Sequence, residues 1–244
     1  MKEEYITLKN IQIPIIIKSY KTSKSVKIFF KNDKITITKP TKLSKKNLSP
    51  IIKKNEEFIY NTYLDGLRKN NENKKCWETG EKIFYRGEEF EIFREINEKK
   101  QIHIDIREDE KQIKVTFPNS LNQEDIKPAV DRRIKQIFKN NTENVLQERL
   151  PYWSKITGIK YHSFIVRDAS TRYGSCVFKT RTLRFSSRLI MLSQRIIDAI
   201  IVHELCHIIY PNHSKDFYDL VKKYVPNYKE VDKWLHNNSR IIII

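Results

Sequence analysis

The sequence predicts an α+β fold, with a β-rich N-terminal layer carrying helices and a helix-dominated C-terminal core. Three observations carry this. Apolar residues alternate over short stretches in the first half, the period of a half-buried strand. A long stripe at helical spacing fills the middle of the chain. Near the end, one segment is apolar on every side of a helix apart from a few ionisable residues, as in a buried helix. The 244 residues suffice for one large domain or two small ones. The pattern divides them into a β-rich region, 1–120, and a core, 121–244, either as separate regions or as one compact domain.

The elements follow in order. Ile11, Ile13, Ile15 and Ile17 alternate, and Val26 to Phe30 and Ile35 to Thr38 form two further strands around the turn residues Asn32-Asp33. A helix starts near Ser44 or Ser49-Pro50 and buries Ile52, Phe58, Ile59 and Tyr63. Strands follow at Lys82 to Tyr85, Glu89 to Phe93, Gln101 to Ile106 and Gln112 to Phe117, with Gly87 turning the first pair. A long helix runs from about Gln123 to Leu150 along the stripe Ile126, Val130, Ile134, Ile137, Phe138, Val145 and Leu146, and Pro151 is expected to close it. Strands at Ile159 to Arg167 and Leu183 to Ser186 precede three helices: Ser193 to Tyr210, Ser214 to Tyr224 and Tyr228 to His236. No internal repeat is expected.

Composition narrows the function. Five glycines, with no G-x-x-x-x-G-K or G-x-G-x-x-G pattern, argue against a glycine-rich phosphate cradle. No apolar run approaches a membrane span, and the four-residue tail Ile241 to Ile244 is too short for one. Cys76, Cys176 and Cys206 are too scattered for a disulfide framework, so a cytoplasmic setting is expected. The net charge of +17 is uneven: residues 1–75 hold 18 Lys/Arg against 7 Asp/Glu, and residues 76–150 hold 14 against 16. A basic first third suits nucleic acid or an anionic substrate, although Lys-rich composition runs along the whole chain.

The decisive segment is Ile196 to Tyr210, in which His203, Glu204 and His207 interrupt an apolar helix. Burying them unpartnered would cost several kcal/mol, roughly 2–7 for a polar group, and a cation offsets that. His203 and His207 lie one turn apart on one face, so both imidazoles reach one ion. Glu204 sits beside that face and serves as general base toward a water acidified by the metal. Zinc, one per chain, needs a third protein ligand and an open position. His213 is the candidate, because Pro211-Asn212 ends the helix and lets the chain fold back. Ser214 would cap the next helix, with Asp216 in its first turn.

These segments resemble a known family. Arg172-Tyr173-Gly174-Ser175-Cys176, Leu183 to Ile190, Val202 to His207, Asn212-His213-Ser214 with Phe217, Val225-Pro226-Asn227-Tyr228 and Trp234-Leu235 are similar to the YgjP-like metallopeptidases, relatives of the SprT-like zinc proteases. Residues Ile15 to Tyr20, then Lys24 to Phe30, and a following helix extend the resemblance. It implies a zincin-type core, His203, His207 and His213 as zinc ligands, and Glu204 as the catalytic residue. Two departures stand out. Tyr173 occupies the tryptophan position of the family's usual R-W-G-S-C loop. Tyr210 stands where metzincins have glycine, and no methionine follows His213, which excludes a Met-turn.

Further roles are expected near the metal. An edge strand over Arg172 to Cys176 could pair with an extended peptide, with Arg172, Tyr173 and Ser175 touching substrate; a purely structural turn around Gly174 is the competing reading. Tyr210, Tyr218 and Tyr224 are candidate oxyanion donors. Cys176 has no Cys-x-x-Cys partner and is not expected to act as ligand or nucleophile. Cys206 is expected to fill core space. The leading function is a metallopeptidase acting on peptide or protein. The family has also been linked to pyrophosphatase activity on UTP, although no carboxylate cluster for magnesium is evident. A nucleic-acid-associated module, recruited through the basic N-terminal layer, is the third alternative.

Overall fold

The computed structural model describes residues 4–73, 76–98, 101–169 and 172–238. The tail Ile241 to Ile244 lies outside them. The chain is α+β, with three small sheets and a helical C-terminal part. It forms two compact units, Met1–Lys74 and Lys75–Ile244. The strands of residues 82–118, grouped with the N-terminal region by sequence pattern, therefore belong to the second unit. The reason is packing: Ile83, Ile92, Ile113 and Val115 share one apolar core with Val130, Phe138, Val202 and Phe217.

The first unit opens with β1 (Glu4–Leu8), which sequence alternation had not signalled, and β2 (Ile11–Tyr20). They are joined by a turn in which Lys9 and Asn10 both take positive φ. After β3 (Lys27–Lys31) and β4 (Lys34–Pro40), the strands order as β1-β2-β4-β3, with the inner pair β2 and β4 parallel. Alternation sends Ile13, Ile15, Ile35, Ile37, Ile28 and Phe30 to one face. There α1 (Lys45–Lys54) and α2 (Glu56–Asn73) close the core with Leu48 and Ile59. Ser44 caps α1 by accepting from the Asn47 N–H at 3.2 Å. Ile59 is buried as expected, but Phe58, its neighbour, is 55% exposed. Two consecutive positions on a helix cannot both face one narrow stripe.

The second unit repeats the plan. Strands β5 (Lys82–Tyr85), β6 (Glu88–Asn97), β7 (His103–Arg107) and β8 (Gln112–Pro118) order as β5-β6-β8-β7, again with a parallel inner pair. The correspondence reaches single residues. Leu43 N–H donates to the Pro40 carbonyl and Leu121 N–H to that of Pro118, both at 3.1 Å. Ser44 and Asn122 stand at the helix N-caps, Leu48 and Ile126 are buried four residues on, and Pro50 and Pro128 lie two residues further. An internal repeat is therefore present, contrary to the sequence-based expectation. The two copies keep hydrophobic pattern and turn chemistry but few identities, so no self-match shows by eye.

The repeat leads into α3 (Gln123–Thr157), which passes through Pro151 instead of ending there. Gly158, in the left-handed conformation, closes it. Pro151 removes one helical hydrogen bond, but Leu150 and Trp153 on either side pack on the core and hold the helix. The third sheet orders as β10-β11-β9, from β9 (Ser163–Arg167), β10 (Gly174–Val177) and β11 (Thr182–Ser186). A short 3-10 helix, Ser187–Met191, follows and accepts from the β5–β6 turn: Arg86 N–H donates to the Ile190 carbonyl and Gly87 N–H to that of Met191. The chain ends in α4 (Gln194–Cys206), α5 (Lys215–Tyr224) and α6 (Tyr228–Asn238). Arg149 of α3 holds Asp198 of α4 through two hydrogen bonds of 2.8 Å.

Candidate metal centre

The site grows from the end of α4. Ile197, Ile201, Val202, Leu205 and Cys206 are buried and fix the helix against α3 and the sheets. His203 and His207 then share the remaining face. The helix ends at Cys206, earlier than the predicted Tyr210, with His207 as its C-cap. Ile208 and Ile209 N–H donate to the Leu205 and Cys206 carbonyls, a tightening that turns the chain before Pro211. Ser214 caps α5 by accepting from the Phe217 N–H, with Asp216 in the first turn. That cap leaves His213 in the connection, facing back toward α4.

The three imidazoles converge on their Nε2 atoms: His203 to His207 3.0 Å, His207 to His213 3.1 Å and His213 to His203 3.2 Å. Among the described residues, these three form the one cluster of potential ligands. Phe217, fully buried, stacks on His207 with ring centroids 4.4 Å apart and meets His203 and His213 edge-on. Two of the outer nitrogens are also held. His207 Nδ1–H donates to the Tyr210 carbonyl at 3.1 Å, which leaves Nε2 with its lone pair. His203 Nδ1 lies 2.6 Å from the Tyr228 hydroxyl.

Burial, reinforced by the two neighbouring rings, pushes His203 down to about 3, and burial likewise lowers His207. Neutral imidazoles are the form that binds metal. The donor set fits a cation. Three Nε2 atoms so close cannot all keep their lone pairs facing one another without a cation between them. Their spacing is near the roughly 3.3 Å separating nitrogens bound tetrahedrally at 2.0–2.1 Å.

Glu204 is 4% exposed, and its Oε2 has no hydrogen-bond partner. Burial raises its pKa to about 8, against an opposing pull from Arg172. An unpartnered buried carboxyl group is costly, which makes Glu204 a candidate for chemistry. Gly174 makes room for it: a Cβ there would come within 2.5 Å of Glu204 Oε1. A cavity of about 540 Å³ joins Glu204 and the three histidines to Arg172, Tyr173, Ser175, Cys176, Tyr228 and Asp232. Its wall at Gly174, Ser175 and Cys176 belongs to β10, an edge strand.

The predicted site residues divide accordingly. His203, His207, His213 and Glu204 come together, and Arg172, Tyr173 and Ser175 line the same cavity. The Tyr173 ring also packs beneath the Arg188 guanidinium, 5.4 Å from its centroid. Tyr210 and Tyr218 are not among the lining residues: Tyr210 offers its carbonyl to His207, and Tyr218 stacks on His213. The Tyr224 hydroxyl donates to the Thr157 carbonyl instead. Burial pushes Cys176 up to about 11 and Cys206 up to about 12, so neither is an activated thiol. Sequence reasoning missed Tyr228 as a site residue, because nothing in its spacing of 25 residues from His203 marks the contact.

An H-E-x-x-H helix end, a third histidine after a helix break and a short sheet edging the cleft define a zincin-like core. The chain belongs to the YgjP-like family, whose metallopeptidase-domain model matches residues 24–238. Among solved structures, it is similar to the metallopeptidase zymogen abylysin of Pyrococcus abyssi, at 22% identity and a TM-score of 0.36, over 40% of this chain and 99% of that one. No curated protein matches. Among the described residues, no helix is long and apolar enough to cross a membrane.

Proposed function

We propose that the chain is a zinc-dependent metallopeptidase that cleaves peptide bonds with Glu204 as general base and then general acid. The observation that carries this is the convergence of three Nε2 atoms within 3.2 Å beside a buried, unpartnered carboxylate. His203, His207 and His213 would hold the ion. When bound, zinc would supply Lewis acidity, polarising the scissile carbonyl and acidifying water. Glu204 takes a proton from the attacking water as its oxygen bonds to the carbonyl carbon. As the C–N bond breaks, Glu204 returns that proton to the departing amine. The substrate chain lies extended along β10, where Arg172, Tyr173 and Ser175 contact it. The free thiols of Cys76, Cys176 and Cys206 suit a cytoplasmic setting.

The test compares wild type with Glu204→Gln, both assayed for zinc, for hydrolysis of a denatured protein and for hydrolysis of UTP. Both should carry about one zinc per chain. Only wild type should cut protein, with Glu204→Gln down by at least about a hundredfold. Absence of metal from both, or equal activity in both, would overturn the reading. Turnover of UTP in place of protein would establish the pyrophosphatase.

A further inference from the structure

We infer that the open face of the first unit's sheet binds single-stranded nucleic acid. The helices of this unit cover one face only, where Gly66 of α2 sits so close to Phe30 that a Cβ would overlap its ring at 2.2 Å. The register places the opposite residues on the other face: Tyr5 beside Pro14, Ile16 beside Thr36 and Phe29, and Lys18 beside Thr38 and Lys27, with Lys31 further along β3. Tyr5 is 55% exposed and Phe29 39%. Among the strand residues of this face there is no Asp or Glu.

The repeated sheet of the second unit shows what an ordinary open face of this topology looks like. There Glu95 takes the place of Lys18, Lys114 that of Thr36 and Asp105 that of Phe29. Its charges neutralise one another: Lys114 pairs with Glu95 at 2.8 Å, Lys82 with Glu89 at 3.1 Å and Arg107 with Asp105 at 3.1 Å. In the first sheet, Lys18, Lys27 and Lys31 have no ion pair among the described residues. Lysines on the edge strand β3 discourage sheet-to-sheet pairing. Lys18, however, is on the inner strand β2, where no edge needs guarding.

Phe29, flanked along β3 by Lys27 and Lys31, forms a stacking platform with phosphate contacts on either side, and Tyr5 offers a second ring on the opposite edge strand β1. Bases stack on Phe29 and Tyr5 while Lys18, Lys27 and Lys31 meet the backbone. A duplex cannot present its bases flat to such a sheet, so the ligand is single-stranded.

The experiment is fluorescence anisotropy with the full chain, using labelled oligothymidylate, oligouridylate and a DNA duplex at several salt concentrations. Chelator is present throughout, so the result is independent of the metallopeptidase reading. Wild type should bind single strands above duplex, and the preferred strand identifies DNA or RNA as the source. Phe29→Ala should weaken binding on the order of tenfold. Lys18→Ala/Lys27→Ala/Lys31→Ala should flatten the salt dependence by about 0.7 per lost phosphate contact. A matched triple on α1, Lys46→Ala/Lys53→Ala/Lys54→Ala, removes equal charge behind the sheet and should bind nearly as wild type. Binding that is absent, equal for duplex, insensitive to Phe29→Ala, or equally weakened by the α1 triple would overturn the proposal. All variants alter exposed or half-buried positions, and unchanged circular dichroism shows that they fold.

Discussion

Glu204 and His203 are neighbours in the chain yet depend on different supports, so their roles can be separated by substitution. Gly174→Ala would push a methyl group to within 2.5 Å of Glu204 Oε1 and displace the carboxylate. Hydrolysis should fall at least about tenfold while zinc content stays at wild-type level, because the displaced group is the proposed base and lies outside the histidine cluster. Tyr228→Phe should do the converse. It removes the hydroxyl that lies 2.6 Å from His203 Nδ1, in a residue only 7% exposed. Zinc affinity, measured by chelator competition, should drop about 10–100-fold, the usual cost of losing an outer partner of a ligand. Thiol chemistry offers a third check. At neutral pH Cys76, which is exposed, should react with a maleimide, whereas Cys176, held up to about 11, should stay slow until the pH rises toward that value.

At the scale of elements, the helix end that carries His203 and His207 is only as steady as its attachment to α3. Arg149 and Asp198 are about four-fifths buried, at 20% and 15% side-chain exposure, and join the two helices by a bidentate pair. Asp198→Asn leaves a mostly buried guanidinium without its charge partner and should cost about 3 kcal/mol in a denaturant titration. A loss below about 1 kcal/mol would mean the pair behaves as a surface bridge.

Elements were also where sequence pattern read best and where it stopped. Lys82 to Tyr85 was legible to the residue, because turn signals flank a short run rich in β-branched and aromatic residues. The His203, Glu204 and His207 segment stood out because polar groups in an apolar helix need a reason. The turn at Lys9-Asn10 was illegible, since positive φ was reached without glycine. Pro151 misled because core packing on both sides outweighs one missing hydrogen bond. Tyr228 and Gly174 enter the site through tertiary contacts, and no spacing rule announces those.

The whole molecule holds two compact units with separate apolar cores, and the second contains the three histidines proposed to hold the metal. Thermal unfolding should therefore show a transition that rises with added zinc and another that does not. At a hundredfold excess over the dissociation constant, the linked unit gains about 2.7 kcal/mol. A single transition that moves as one would show that the units unfold together.

The twice-built sheet also means that the chain carries its own two-row alignment. Positions that keep their residue type across the rows, Pro40 with Pro118 and Pro50 with Pro128, mark what the shared backbone demands. Positions that part company, Lys18 with Glu95 and Phe29 with Asp105, mark where that shared backbone sets no limit. The second row shares its apolar core with the helix that carries the histidine cluster, whereas the first has a core of its own.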